Sequence, residues 1–318
     1  MGLIRGGRRE IFAVLTVGVG LLFCALAAPP AEAGISCRYV AAGPDGPAGN
    51  RLELKVTRFE EVVAVLPGKG QNIQVTDDQR MKPLRCKGGK PTMVNLDRID
   101  FIEAPSATGS SFYIAEAPRF GPGATPASAG GKGISFIAKG PAVSFGIGGT
   151  EGADLVQMGM VGKAAALDFY PDQFADGTPG NQVDAKIYAK FVNLLVKAGP
   201  GSDVVNGSRY AYWNASMDGA LKAPASIYGE GGSDELIGGL HMDYIDGGAG
   251  ADFLSGSAGA DQLFGGGGID TFSGGPGSDE IDAIDRNPGE EIRCGRGKDL
   301  ARMDLKDRDR DCEAFRFP

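Results

Sequence analysis

The chain has 318 residues, 52 of them glycine, with 40 acids against 32 bases, one His and one Trp. A net charge of −8 argues against a phosphate backbone as the main partner, so no nucleic-acid binding is expected. Glycine at about twice its usual share points to many tight turns, and a single His leaves little material for imidazole catalysis.

Residues 1–33 stand apart. Arg5, Arg8 and Arg9 open the chain, an apolar run follows from Ile11 to Ala28, and Ala31-Glu32-Ala33 is a small-x-small cleavage pattern. This is the order of a secretory signal peptide, so the mature protein is expected outside the cell with no membrane span. The apolar run approaches a spanning length, but the cleavage pattern favours the signal. Arg8-Arg9 hints at a twin-arginine route, and Phe23 is too bulky to precede a lipoprotein cysteine at Cys24.

Cys37, Cys86, Cys294 and Cys312 remain. An even count in an exported chain points to disulfides. With two cysteines near each end, Cys37–Cys86 and Cys294–Cys312 is the economical pairing. Zinc is the rival reading, but there is no Cys-x-x-Cys and His241 is far from every Cys in sequence.

Residues 34–145 form an N-terminal β-rich region. LELKVT, VVAVLP and NIQVTD, then SFYIAE and ISFIAK, are short β-rich runs broken by turn residues. Residues 146–228 hold degenerate units. GTEGADLVQ starts at Gly149 with Asp154 in sixth place, and AGPGSDVVN starts at Ala198 with Asp203 there. Their spacing is not a multiple of nine, which suggests coils with long insertions. DAKIYAKFVNLLVKAG, 184–199, fits a helix stopped by Gly199 and Pro200. It also fits two strands, through the alternation of Ala185, Ile187 and Ala189, and the β surroundings favour strands. Tyr210, Tyr212 and Trp213 are candidates for sugar stacking or for a core edge.

From 229 to 282 the chain is periodic. GEGGSDELI, GGLHMDYID, GGAGADFLS, GSAGADQLF, GGGGIDTFS and GGPGSDEID follow one another without insertion. The sixth place holds Asp234, Asp243, Asp252, Asp261, Asp270 and Asp279, and the eighth holds Leu236, Ile245, Leu254, Leu263, Phe272 and Ile281. The glycine-rich first six residues suit a sharp turn. The last three suit a short strand whose middle residue faces a core. Two units make a coil with a turn at each end. A disordered linker would have no reason to keep the apolar place. The stretch carries eight Asp and three Glu without one Lys or Arg. Oxygen donors without His or Cys suit a hard cation, and Ca²⁺ fits best. Eleven acids without a base would repel in a compact metal-free state, so binding is expected to couple to folding.

These units resemble the RTX, or hemolysin-type, calcium-binding nonapeptide repeat, G-G-x-G-x-D-x-U-x. The resemblance implies a parallel β-roll with Ca²⁺ held between turns on the same edge. Asp234 would then share an ion with Asp252, Asp243 with Asp261, Asp252 with Asp270, and Asp261 with Asp279. Carbonyls of the glycine-rich turns would complete each shell, at Gly229, Gly231, Gly232, Gly247, Gly248, Gly250, Gly256, Gly259, Gly265, Gly266, Gly268, Gly274, Gly275 and Gly277. His241 replaces the fourth-place glycine, a costly residue at φ > 0, so weaker sites are expected where the 238–243 turn contributes. VNLDRIDFIEAP and RFGPGATPASAG resemble the N-terminal part of secreted bacterial calcium-binding proteins with such repeats. That would start the solenoid near residue 50.

Residues 283–318 read as a charged cap. Nine acids and nine bases interleave from 285 onward, and CGRGKDLAR is a last degenerate unit with Asp299 in sixth place. A solenoid needs a polar, closed end. An EF-hand reading of Asp307, Asp309 and Asp311 lacks the loop glycine and the twelfth-place Glu.

There is no H-E-x-x-H, no G-x-S-x-G and no P-loop. The chain is therefore expected to be all-β, a parallel β-roll or β-solenoid with calcium-binding turns and a small disulfide-stapled C-terminal cap. Its expected role is that of a secreted, non-enzymatic calcium-binding protein. Its partners would be calcium ions and a cell-surface polysaccharide or another surface protein. The alternatives are a polysaccharide hydrolase or lyase built on the solenoid, or a cell-surface adhesin.

Overall fold

An apolar side chain two places after each repeat aspartate organises the chain. In a computed structural model, Leu236, Ile245, Leu254, Leu263, Phe272 and Ile281 are all fully buried. Each is the middle residue of an inward-facing run, because successive side chains of a strand point to opposite faces. The structure describes residues 34–42, 49–58, 61–68, 72–77, 82–92, 96–107, 109–115, 134–168, 185–208, 217, 219–287 and 289–316. The expected signal peptide over 1–33 and the aromatic residues Tyr210, Tyr212 and Trp213 lie outside them.

Among the described residues, 23 strands join one continuous sheet, and none of these residues is helical. Among them, too, no helix is long and apolar enough to cross a membrane. The sheet winds into two faces. On one, Ser226 pairs in parallel with Tyr244, Tyr244 with Gln262, and Gln262 with Glu280. On the other, Glu235 pairs with Phe253 and Phe253 with Thr271. The cross-coil bonds from Asp234 to Asp252 and from Asp252 to Asp270 each span 18 residues, so two nonapeptides make one coil. Strands on one face extend beyond the three residues expected of them. Tyr244–Ala249 runs on into the next unit's glycines, and Gly248 pairs with Gly266.

The parallel stack starts at Arg51–Val56, which pairs with Arg98–Glu103, and at Val62–Pro67, which pairs with Ser110–Ile114. Two long strands, Ser135–Gly148 and Ala185–Pro200, cross from one face to the other. The second is therefore one strand of 16 residues, neither a helix nor two separate strands. Its inward residues change parity at the corner: Ala185 and Ile187 are buried on one side, Leu194, Val196 and Ala198 on the other. Ser135–Gly148 changes in the same way, from Phe136 and Ala138 to Val143, Phe145 and Ile147. The buried Glu103 stabilises this corner. Its Oε1 accepts the Ser110 amide at 2.8 Å and its Oε2 the Ala142 amide at 2.9 Å.

Both ends are closed. Ile35–Val40 covers the N-terminal edge, antiparallel to Arg51–Val56, with the Cys37–Cys86 disulfide beside it. At the other end Arg308–Arg310 is exposed along its length, and Cys294–Cys312 ties that coil to the one before. Exposed charge on a last strand blocks edge-to-edge pairing. Antiparallel hairpins interrupt the parallel order: Val62–Pro67 with Ile73–Asp77, and Leu155–Val161 with Ala164–Asp168, the last of which also runs antiparallel to Ala185–Pro200.

Because each coil is buried only by its neighbours, a cavity in one coil acts on the whole stack. We expect Leu254→Ala to destabilise the folded protein by about 2–5 kcal/mol, measured by denaturant unfolding. A loss below about 0.5 kcal/mol would mean that the eighth place does not carry the core.

Candidate metal centre

The turns align the repeat aspartates in two rows, one along each edge of the roll. In the first row the Asp234 amide donates to Oδ1 of Asp252 at 2.8 Å, and the Asp252 amide to Oδ1 of Asp270 at 2.9 Å. In the second row the Asp243 amide donates to Asp261 at 2.8 Å, and the Asp261 amide to Asp279 at 2.9 Å. The structure therefore brings together the same four pairs that the resemblance implied, each through one carboxylate oxygen.

The rows are longer than the uninterrupted repeat. The Asp154 amide donates to Oδ1 of Asp203 at 2.6 Å, and the Asp203 amide to Oδ1 of Asp234 at 2.8 Å. Both degenerate upstream units thus join the first row, although 49 and 31 residues separate these partners. In the second row the Asp279 amide donates to Asp299 at 2.9 Å, and the Asp299 amide to Oε2 of Glu313 at 2.8 Å. Glu313 escaped the sequence reading because nothing around it repeats; only its place 14 residues after Asp299 puts it at the next turn.

The second carboxylate oxygen differs from the first. Oδ2 of Asp203, Asp234, Asp252, Asp261, Asp279 and Asp299 is buried without a hydrogen-bond partner. At Asp234, Asp252, Asp261 and Asp279 it faces a glycine cradle with no side chain. A Cβ on Gly247 would sit 2.5 Å from Asp252 Oδ2 and 2.6 Å from the Gly265 carbonyl oxygen. Gly229, Gly256 and Gly274 bear the same relation to Asp234, Asp261 and Asp279 and to the carbonyls of Gly247, Gly274 and Cys294. Gly265 likewise lies against Asp270 Oδ2. Among the described residues no three His, Cys, Asp or Glu side chains gather where one metal ion could bind. The donor set is therefore carboxylates of adjacent coils plus backbone carbonyls, and oxygen-only donors of this kind fit Ca²⁺. An orphaned carboxylate oxygen beside converging carbonyls is costly unless a cation or a proton fills the space.

Two glycine places in the turn are distinct. At the second place φ is 94° in Gly248, 90° in Gly266 and 105° in Gly275, and Glu230 and Ser257 occupy it at 70° and 69°. At the fourth place φ is 140° in Gly232, 141° in Gly250 and 148° in Gly259 and Gly268, a region open essentially to glycine alone. There a Cβ on Gly250 would collide with the Gly232 carbonyl, and one on Gly277 with that of Gly259. Gly231 is different: a Cβ would meet only the Ala249 carbonyl, at 4.0 Å.

His241 corrects one expectation. It is not at positive φ; among the described residues the non-glycines that are number four, Glu230, Ser257, Arg286 and Asp311. The reason is its position. The 238–243 turn begins the second row and stacks on the Leu221–Ala225 segment, not on another nonapeptide turn. Leu240 donates to the Leu221 carbonyl at 2.9 Å, and Ala225 donates to Asp243 Oδ1 at 2.7 Å. Gly239 donates to Asp243 Oδ2 at 2.6 Å, so this carboxylate has amide partners on both oxygens.

Burial pushes Asp203, Asp243, Asp252, Asp270 and Asp279 up to about 6 and Asp261 up to about 7. Like-charged carboxylates in the same rows add to the shift at Asp203, Asp252, Asp261, Asp270 and Asp279, and backbone amides oppose it. The repeat has no Lys or Arg to offset this, and His241 opposes the shift at Asp243. The ion pairs that touch it engage Glu230, Glu280 and Asp282, through Lys197 and Arg302.

The fold and site define a class: a parallel β-roll with rows of buried aspartates in glycine-rich turns. The sequence model for the RTX calcium-binding nonapeptide repeat (4 copies) matches residues 226–240, 237–272 and 255–283. This stretch is therefore a calcium-binding repeat of the RTX type. No curated protein and no solved structure matches the chain.

Two outcomes follow from this geometry. Gly250→Ala should cost at least about 2 kcal/mol through strain and the carbonyl clash. Gly267→Ala, where a Cβ meets nothing within 4 Å, should change stability by no more than about 1 kcal/mol. Equal losses in denaturant unfolding would refute the distinction. Unfolded aspartates titrate near 4, whereas Asp203, Asp243, Asp252, Asp270 and Asp279 are pushed up to about 6 and Asp261 to about 7. Between these values the folded state holds more protons, so its stability falls as pH rises. In metal-free protein, protons should therefore take the place of cations and the far-UV β signal should grow as pH drops from 8 to 5; a signal that shrinks over this range would contradict the burial of these groups.

Proposed function

We propose that the chain is a secreted, non-enzymatic calcium-binding protein whose β-roll folds when Ca²⁺ enters its turns. The observation that carries this reading is the buried, unpartnered Oδ2 atoms of Asp234 and Asp252 in the first row and of Asp261 and Asp279 in the second. Each lies beside a glycine cradle and one coil from the next carboxylate. Asp234, Asp243, Asp252, Asp261, Asp270 and Asp279 would supply the charge, and carbonyls at glycines such as Gly247, Gly265 and Gly274 would complete the shells. Bound Ca²⁺ supplies the positive charge that the repeat lacks. The protein's own contribution is to hold two carboxylates and several carbonyls in register and to keep water out of the coil interior. Asp243, with amide partners on both oxygens, would be the weakest donor.

Location gives the arrangement its use. Extracellular calcium modules fill at roughly 10⁻⁴ to 10⁻³ M, far above cytosolic Ca²⁺. A chain with this acidic repeat would stay open before export and close outside. The Arg5–Ala33 leader pattern and the two disulfides favour that route.

The test is a Ca²⁺ titration of disulfide-bonded protein after chelation, followed by far-UV circular dichroism and calorimetry. A cooperative gain of β signal with several ions bound, which Mg²⁺ does not reproduce, is the expected result. A chain already folded without metal, and with no heat of binding, would refute the proposal.

A further inference from the structure

The first row of carboxylates does not stop at Asp270. Thr271 pairs with Glu291, and Glu291 pairs with Arg308. The residues before them, Glu290 and Asp307, therefore take the next two aspartate places. DRNPGEEIR, 285–293, is a nonapeptide with Glu in sixth place and the fully buried Ile292 in eighth. The backbone link between coils continues through it. The Glu291 amide donates to the Asp270 carbonyl at 3.1 Å and the Arg308 amide to the Glu290 carbonyl at 2.9 Å. Thr271 donates to Asp252 and Phe253 to Asp234 in the same way.

Glu290 is 1% exposed, and neither of its carboxylate oxygens accepts a hydrogen bond from another residue's amide, hydroxyl or base; the carboxylates of Asp307 and Asp285 stand within reach of it. Asp307 stands one coil further on and is anchored by backbone. It accepts the Gly289 amide at 3.0 Å and the Asp304 amide at 2.7 Å. Arg302 pairs with Glu280 and Asp282, and Arg293 with Glu291. A buried carboxylate with no hydrogen-bond donor from another residue, on the path of an aspartate row and beside the carboxylates of Asp307 and Asp285, has the chemistry of a hard-cation site.

We propose that Glu290 and Asp307 hold a further divalent cation of the Ca²⁺ class, between the last nonapeptide coil and the C-terminal cap. The site lies outside residues 226–283, which match the repeat, and it rests on the calcium reading above. Its consequence is a cap fastened twice. The cation joins Glu290 to Asp307, and the Cys294–Cys312 disulfide joins the same two coils a few residues later. The inserted Ala283 and Ile284 lengthen this coil, while the pairing of Thr271 with Glu291 keeps Glu290 in the aspartate place.

The experiment is equilibrium dialysis of the full, disulfide-bonded chain against Ca²⁺ alone, for wild type, Glu290→Gln and Asp307→Asn. Amide exchange is read in parallel. Each variant should bind one ion fewer than wild type. Gly289 and Arg308 should no longer be protected by added Ca²⁺, while Phe253 and Thr271 still are. An unchanged number of ions, with Gly289 and Arg308 protected as in wild type, overturns the proposal and leaves the calcium reading of the repeat standing. Wild type that takes up no Ca²⁺ overturns both. Should Glu290→Gln fail to fold, Asp307→Asn decides the matter, since Asp307 is only half-buried.

Discussion

Like charges stacked at the spacing of a β-sheet are the constraint on which this structure depends. Parallel strands lie about 4.8 Å apart. At that distance two ionised carboxylates repel by about 3–4 kcal/mol at an effective dielectric of 20. Each row repeats that contact coil after coil, at Asp203, Asp234, Asp252 and Asp270 and again at Asp243, Asp261, Asp279 and Asp299. One oxygen of each carboxylate is satisfied by an amide of the preceding coil. In most of them the other has no partner within the chain. A fold that keeps such rows buried is complete only with positive charge in the turns, whether as protons or as metal ions.

The glycines follow from that constraint. For a carboxylate to reach the coil before it, successive turns must stack at backbone contact. At the fourth place the Cα of Gly250 lies so close to the Gly232 carbonyl that no side chain fits. The second place is less strict, because a left-handed φ near 70° admits Glu230 and Ser257. His241 is admitted for another reason: its turn begins a row and has no nonapeptide turn beneath it.

The upstream half obeys the same stacking rule with different sequences. Buried Val, Ile, Phe and Leu side chains fill the coils from Leu52 to Val205. Asp154 and Asp203 hold their places in the first row across gaps of 49 and 31 residues. Stacking conserves position in the coil, and chain length between coils is free to vary.

The sequence by itself determined the β-roll, the coil of two nonapeptides, the inward eighth place, the four aspartate pairs of the repeat and both disulfides. These are local or strictly periodic features. A period of nine without insertions carries its register in the chain, and four cysteines placed two by two near the ends leave one economical pairing. Only the tertiary structure decided where the rows begin and end. Asp154, Asp203, Glu290, Asp307 and Glu313 join them across insertions, a deletion or a change of residue type, so counting by nine passes over the connection. The same holds for Ala185–Pro200, whose inward residues change parity where the strand turns the corner of the roll. Its mixed pattern is the sum of two regular ones, and the corner that separates them is set by the neighbouring strand Ser135–Gly148 and by the carboxylate of Glu103. Which residues become neighbours along the axis of a solenoid depends on register between coils, and register across an insertion is fixed by packing rather than by the length of chain between.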